Sequence, residues 1–308
     1  MRNSTRRDFI NLAAGVASLG AATRVSAAGT GMFISLNSSL TGKMAWPDFA
    51  GLAAKAGYGG TDVNLAAAME QGVEATRKLL TGLRIKPGVT SLPFSPFTKD
   101  EAAFRSGMQR LDETAGFAAA IGCPRAMTVL PPSSDTPKAE LRKLYKDRLA
   151  AVSEILVRHK FRLGLEFLGP LYMHTRLPHE FIWRMDEALE FAKECGPAIG
   201  LQLDAWHWHH AGATTADIIA AGKSRIVSVH VSDARKQPPE DVRDNERLLP
   251  GEGVINLTGF FQALQKIGYE DAVSPEPLGR IPEGASPENG ARLGLESTLG
   301  VMRKAGVA

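Results

Sequence analysis

Cysteine is scarce in this chain, and its scarcity narrows the reading from the start. Only Cys123 and Cys195 occur in 308 residues. Neither sits in a CxxC or CxxxH setting, so a disulfide framework and a thiolate zinc motif both lack support. A chain of this length buries enough apolar surface to do without staples. Both cysteines therefore read as small buried hydrophobes. A Gly-rich dinucleotide fingerprint is also missing after the first strand-like run, which counts against a Rossmann fold.

Net charge is lacking over most of the chain, although the whole sequence carries +3. The first 27 residues hold Arg2, Arg6, Arg7 and Arg24 against Asp8 alone. Past them, 32 basic side chains balance 32 acidic ones. A protein that grips a phosphate backbone shows a basic excess on its folded part, so a nucleic-acid partner is not expected.

Residues 1–27 have the order of an export signal. Arg6-Arg7-Asp8-Phe9-Ile10 precedes a mild apolar run over residues 12–22, and Val25-Ser26-Ala27 forms a small-x-small cleavage site. The paired arginines resemble the twin-arginine type, which implies a periplasmic or otherwise exported protein. The apolar run is too short and too rich in Gly and Ala for stable membrane insertion. Residues 28–308 are then expected to form a single catalytic domain.

From about residue 30 onward, short apolar runs alternate with amphipathic stretches. Strands are expected at 32–36, 60–65, 85–91, 125–130, 162–168, 199–204, 226–231 and 272–276. Helices are expected at 48–56, 71–83, 99–120, 138–159, 178–195, 215–222, 257–267 and 287–304. The strand-like runs lack strict alternation, as suits strands buried on both faces. Eight uninterrupted alternations favour an α/β closed barrel, (β/α)8, over an open doubly wound sheet. The polar stretch 233–253 after the seventh strand has the length of a lid or binding loop.

In such a barrel, reacting groups project from the C-terminal strand ends. The last four strands each end in a metal-ligand type: Glu166, Asp204, His230 and Glu276. Converging carboxylates repel one another unless a cation offsets them. Three oxygens with one imidazole suit Mn²⁺, Mg²⁺ or Co²⁺ better than a thiolate-loving metal, with Zn²⁺ also accommodated. The earlier strands offer Asn37, Asp62, Asn64 and Thr128 but no histidine, which disfavours a multi-histidine nuclease site.

The segments LGLEFLGP, GLQLDAWHWHHAG, IVSVHVSDA and GEGVINLTGFFQALQKIGYEDAVSPEP carry a family resemblance. They resemble the xylose isomerase-like TIM-barrel superfamily, in its sugar phosphate isomerase/epimerase branch with the ketose 3-epimerases and inosose-processing enzymes. The resemblance implies one divalent metal, Mn²⁺ first among the candidates, on Glu166, Asp204, His230 and Glu276. It also implies a substrate contact at His207. Asp233, Arg235 and Trp206 are further substrate-binding candidates, although family epimerases carry an arginine slightly further along than Arg235. His209 and His210 read as rim residues, and His174 and Arg176 as solvated loop positions.

The implied reaction is isomerisation or epimerisation of a sugar or sugar derivative. A proton leaves the carbon beside a carbonyl, the metal stabilises the enediolate, and Glu166 and Glu276 serve as catalytic base and acid. A lyase or dehydratase acting on a keto-sugar or inosose would use the same enediolate. A non-catalytic sugar-binding barrel is the alternative from another class. The expected partner is a small carbohydrate, with homo-oligomerisation left open.

Overall fold

A computed structural model describes residues 31–281 and 284–308. The export signal expected in residues 1–27 lies outside the described residues. Eight parallel strands close into a barrel: β1 Phe33–Leu36, β2 Gly60–Val63, β3 Lys86–Ser91, β4 Arg125–Val129, β5 Arg162–Glu166, β6 Ile199–Asp204, β7 Ile226–Val231 and β8 Ala272–Pro275. Each strand pairs with its sequence neighbour, and β8 pairs back onto β1 through Phe33↔Ala272. Closure leaves no open edge, so the backbone groups of these short strands are satisfied within the ring.

Apart from the half-buried Arg162 that opens β5, the late strands are buried along their whole length, as their apolar runs suggested. Leu163, Leu165, Ile199, Leu201, Leu203 and Val229 are fully buried. The helices cover the outer wall with amphipathic faces. In the helix Lys138–Arg158, Leu141, Tyr145, Leu149, Val152 and Leu156 recur at three- and four-residue spacing and are buried. Each such side chain contributes about 1.5–3 kcal/mol relative to an exposed position. Among the described residues, no helix is long and apolar enough to cross a membrane.

Two helical expectations are corrected. The helix expected over 71–83 runs from Val73 to Leu83, and a further helix that was not expected, Leu65–Gln71, precedes it, the two separated at Gly72, whose φ of 85° breaks the helical run. The helix expected from residue 178 starts at Met185. His179–Glu180 instead pairs antiparallel with Ser133–Ser134 as a small ribbon beside the barrel.

Strand register sets the functional end. Glu166 lies opposite Gln202, and Asp204 lies opposite His230. Ser274 pairs with His230, and the Glu276 N–H continues that ladder to the Val231 carbonyl at 2.9 Å. Glu166, Asp204, His230 and Glu276 thus come from the C-terminal ends of four consecutive strands.

Candidate metal centre

Glu166, Asp204, His230 and Glu276 each offer a ligand atom, and these atoms lie within 4.8 Å of one another. Glu166, Asp204 and His230 are buried, while Glu276 is partly open to the cavity. His230 Nδ1 lies 3.4 Å from Glu166 Oε1 and 3.4 Å from Glu276 Oε2. At that length these are ionic contacts rather than good hydrogen bonds. Glu166 Oε1 and both ring nitrogens of His230 are buried without a hydrogen-bond partner.

Buried donor atoms without partners are costly unless something completes them. Three carboxylate oxygens and one imidazole nitrogen at this spacing fit a divalent cation. Without the cation, burial pushes the Glu166 carboxyl up to about 7, with the Glu276 and Asp204 carboxylates adding to the rise. His230 is raised well above its ordinary value, because Glu276 and Glu166 outweigh the opposing effect of burial. Glu276 is lowered despite burial, by His230 and Arg247.

A fixed cation stands against this set. Arg247 is fully buried. Its Nη1 donates to Asp204 Oδ2 at 2.7 Å and to Glu276 Oε2 at 3.1 Å. Its Nε and Nη2 both donate to Asp244 Oδ1, at 2.9 and 2.7 Å. The guanidinium also stacks over the Trp206 ring, 4.6 Å from the centroid. Burial would raise Asp204, but Arg247 and the nearby imidazoles hold it well below the usual carboxylate range. Arg247 itself is driven higher still by the carboxylates around it.

Arg247 also settles the state of His207. Nη2 lies 3.2 Å from His207 Nε2. A guanidinium only donates, so Nε2 accepts and the ring proton sits on Nδ1. That Nδ1 is buried without a partner. Burial lowers the His207 pKa to about 3, which keeps the ring neutral.

The remaining candidates are dispersed. Trp206 is buried and carries Arg247 on its face. Asp233, expected at the substrate, is a loop fastener: its carboxylate accepts from the backbone N–H of Ala234, Gly251, Gly253 and Ile255 at 2.9–3.0 Å. It lines a separate depression of about 470 Å³ behind the loop. Arg235 is exposed. Trp208 is packing, since its ring meets Phe260 at 5.3 Å and its Nε1 donates to the Thr214 carbonyl. His209 and His210 are half-buried. His174, expected to be solvated, is buried against Trp183 with ring centroids 4.0 Å apart, and its Nδ1 lies 3.0 Å from Glu180. Arg176 is exposed.

Arg247 was not singled out in the sequence, yet it sits in the long loop after β7. Antiparallel bonds between Asp233 and Leu248 (2.9 and 2.8 Å) and from the Arg247 N–H to the Leu278 carbonyl (3.1 Å) lay this segment across the strand ends.

A cavity of about 920 Å³ opens beside the cluster. His230 and Glu276 line it, together with Asn37, Asp62, Asn64 and Met127 among others. It is large enough for a sugar-sized ligand.

The chain belongs to the xylose isomerase-like TIM-barrel family, whose profile matches residues 50–302. Among curated relatives, an inosose isomerase of Halalkalibacterium halodurans is 27% identical over 208 residues, spanning 67% of this chain and 71% of that protein. Among solved structures, a xylose isomerase domain protein from Alicyclobacillus acidocaldarius is 26% identical with a TM-score of 0.82, covering 89% of this chain and 99% of that one. A structure titled as the IolI protein with a zinc atom is 22% identical with a TM-score of 0.74, again covering 89% and 99%. This last likeness concerns the fold.

Proposed function

We propose that the protein is a divalent-metal-dependent isomerase or epimerase of a sugar or sugar derivative, with Glu166 and Glu276 moving the proton. The observation that carries this reading is the placement of two glutamates, each 3.4 Å from the same His230 nitrogen, with His230 and Glu276 lining a sugar-sized cavity. The relative's name, inosose isomerase, supports a carbonyl polyol as substrate.

A bound divalent ion would polarise the substrate carbonyl and offset the negative charge that develops after proton removal. Glu166, Asp204, His230 and Glu276 would hold it. The oxygen-rich donor set favours Mn²⁺, with Mg²⁺, Co²⁺ and Zn²⁺ as competitors. Metal analysis of the purified protein decides among them, and zinc at full occupancy would replace manganese in this reading.

The chain's own groups supply the rest. Burial raises Glu166 to about 7 in the metal-free protein, and a bound cation would bring it down, leaving the ionised carboxylate that a general base needs. Glu276 is held ionised and is the more open of the two to the cavity. Arg247 spends its N–H groups on Asp204, Glu276, Asp244 and His207 and so holds these groups in place, while the neutral His207 keeps an unpartnered Nδ1–H to meet a substrate oxygen carrying growing negative charge. Two carboxylates permit proton removal and return at separate positions, which serves either epimerisation or isomerisation.

The test is solvent proton exchange. The metal-loaded protein is incubated in deuterated water with an inosose, D-fructose, D-psicose and D-tagatose, and exchange beside the carbonyl is followed by NMR. Exchange with at least one sugar is expected, together with its loss in Glu166→Gln and Glu276→Gln. Full turnover in Glu276→Gln overturns its acid/base role. Metal binding with no exchange from any sugar favours a binding barrel.

Export by the twin-arginine route is part of the proposal and rests on Arg6, Arg7 and the Val25-Ser26-Ala27 site. Periplasmic recovery that survives an Arg6→Lys/Arg7→Lys change would overturn it.

A further inference from the structure

One acid beside the cluster takes no part in the proton transfer described above. Asp62 on β2 lines the same cavity as His230 and Glu276. Its Oδ1 accepts from Ser35 Oγ at 2.7 Å, from Ser274 Oγ at 2.8 Å and, at the limit of range, from the Val89 N–H at 3.5 Å. Its Oδ2 accepts from Asn37 Nδ2 at 3.0 Å. Ser274 is the register partner of His230 on the neighbouring strand, so these bonds hold the carboxyl group on the His230 side of the barrel interior. The electrostatics agree. Burial raises the Asp62 carboxyl, and the His230 charge is the largest effect opposing that rise, ahead of all three hydrogen-bonding side chains.

His230 has a matching vacancy. Its Nδ1 faces the two glutamates, 3.4 Å from an oxygen of each, which makes Nδ1 the nitrogen for a shared cation. Nε2 lies on the far side of the ring, buried without a hydrogen-bond partner. A metal-ligating imidazole keeps its proton on the nitrogen away from the ion, and that N–H is given to a carboxylate, a backbone carbonyl or water. The bond fixes the tautomer and the ring orientation and raises the basicity of the ligating nitrogen. Asp62 Oδ2 has one partner and lone-pair capacity for another.

We infer that Asp62 is a positioning residue for the metal centre, whose Oδ2 accepts the His230 Nε2–H directly or across one water. The inference rests on the metal-dependent part of the proposed function and is independent of which sugar reacts. Ser232 Oγ, two residues beyond His230 and also buried without a partner, is the rival acceptor.

The full chain, with ¹⁵N-labelled histidine, is loaded with Zn²⁺ as a diamagnetic probe and studied by long-range ¹H–¹⁵N NMR. His230 Nδ1 is expected to lack a proton, and Nε2 to carry one shifted downfield by an ionised acceptor. A proton on Nδ1 with the metal on Nε2 overturns the inference, and this measurement needs no variant to fold. Calorimetric titration with Mn²⁺ then compares affinities. Asp62→Asn is expected to lose roughly 10- to 100-fold, with its Nε2–H resonance moved upfield. Ser35→Ala removes one hydrogen bond to Asp62 but leaves the carboxylate, so its affinity should stay within about threefold of the wild type. Equal losses in the two variants, as a merely structural role predicts, overturn the inference. So does a loss in Ser232→Ala with none in Asp62→Asn. A wild type that binds neither ion removes the metal-dependent reading as well, whereas Mn²⁺ binding that Asp62→Asn leaves unchanged removes this inference alone.

Discussion

Arg247 Nη1 lies 2.7 Å from Asp204 Oδ2, so a permanent cation is packed directly against one of the four ligand-type residues. The same nitrogen reaches Glu276 Oε2 at 3.1 Å. Three buried or part-buried carboxylates are therefore balanced by Arg247 and a protonated His230 when no metal is bound. A divalent ion would take over part of that work. Arginine suits the position because it stays charged at any working pH and can serve Asp204, Glu276, Asp244 and His207 at once.

Arg247→Met is expected to destabilise the protein more in chelator than with metal. Leaving a buried carboxylate without its partner costs about 3–5 kcal/mol. In the metal-loaded protein the cost should fall by at least about 1 kcal/mol, because the added cation offsets the same charges. Denaturant unfolding with EDTA and with Mn²⁺ measures both values. Equal losses would show that Arg247 and the metal do not share this burden.

The pH dependence follows from Glu166. Its folded-state value is raised to about 7 from an ordinary 4.5. In the metal-free protein its contribution is fully present below about 4.5 and is lost as pH rises through about 7. His230, also raised, loses its contribution at higher pH, with the same sign. Metal-free stability should therefore fall from pH 5 toward 8, by at most about 1.4 kcal/mol per pH unit for each proton involved. Metal affinity should rise over the same range, because binding displaces protons. Titrations in buffers of different ionisation enthalpy count the released protons, and none released at pH 6 would refute this account.

Asp233→Ala should loosen the loop that delivers Arg247. The change leaves four backbone N–H groups without their acceptor. The expected loss is about 2–3 kcal/mol, since a charged acceptor is removed from several donors at once. Hydrogen exchange at Gly251, Gly253 and Ile255 should accelerate, and activity should fall through displacement of Arg247. Unchanged exchange at these amides would return Asp233 to the substrate-binding candidates.

Most of the barrel was legible because apolar periodicity reports burial directly. Residues 199–204 and 226–231 coincide with β6 and β7, and the other strands begin or end within a few residues of expectation. The four ligand-type residues were legible for a related reason: a polar residue ending an apolar strand has few structural explanations. Arg247 and Asp233 were harder. Their roles depend on how the 233–253 segment folds back over the strand ends, and no local pattern encodes that path. At the sequence level Asp233 and Asp204 look alike, each an acid at a strand end. Only the loop's amides distinguish a fastener from a member of the cluster.

Gly88 offers a test of how the Asp62 carboxyl group is held. It lies on β3, and a Cβ there would fall 2.6 Å from Asp62 Oδ1 and even closer to Ser35 Oγ. Both atoms belong to the hydrogen bond that orients Asp62. Gly88→Ala should therefore destabilise the protein by about 1–3 kcal/mol, as overpacking of a filled interior does. In an Asp62→Ala background the carboxylate is gone and the Ser35 hydroxyl is free to rotate, so the same substitution should cost at least about 1 kcal/mol less. The double-mutant cycle from denaturant unfolding gives that coupling. Additive costs would mean that Gly88 is small for some reason other than the space this carboxylate needs.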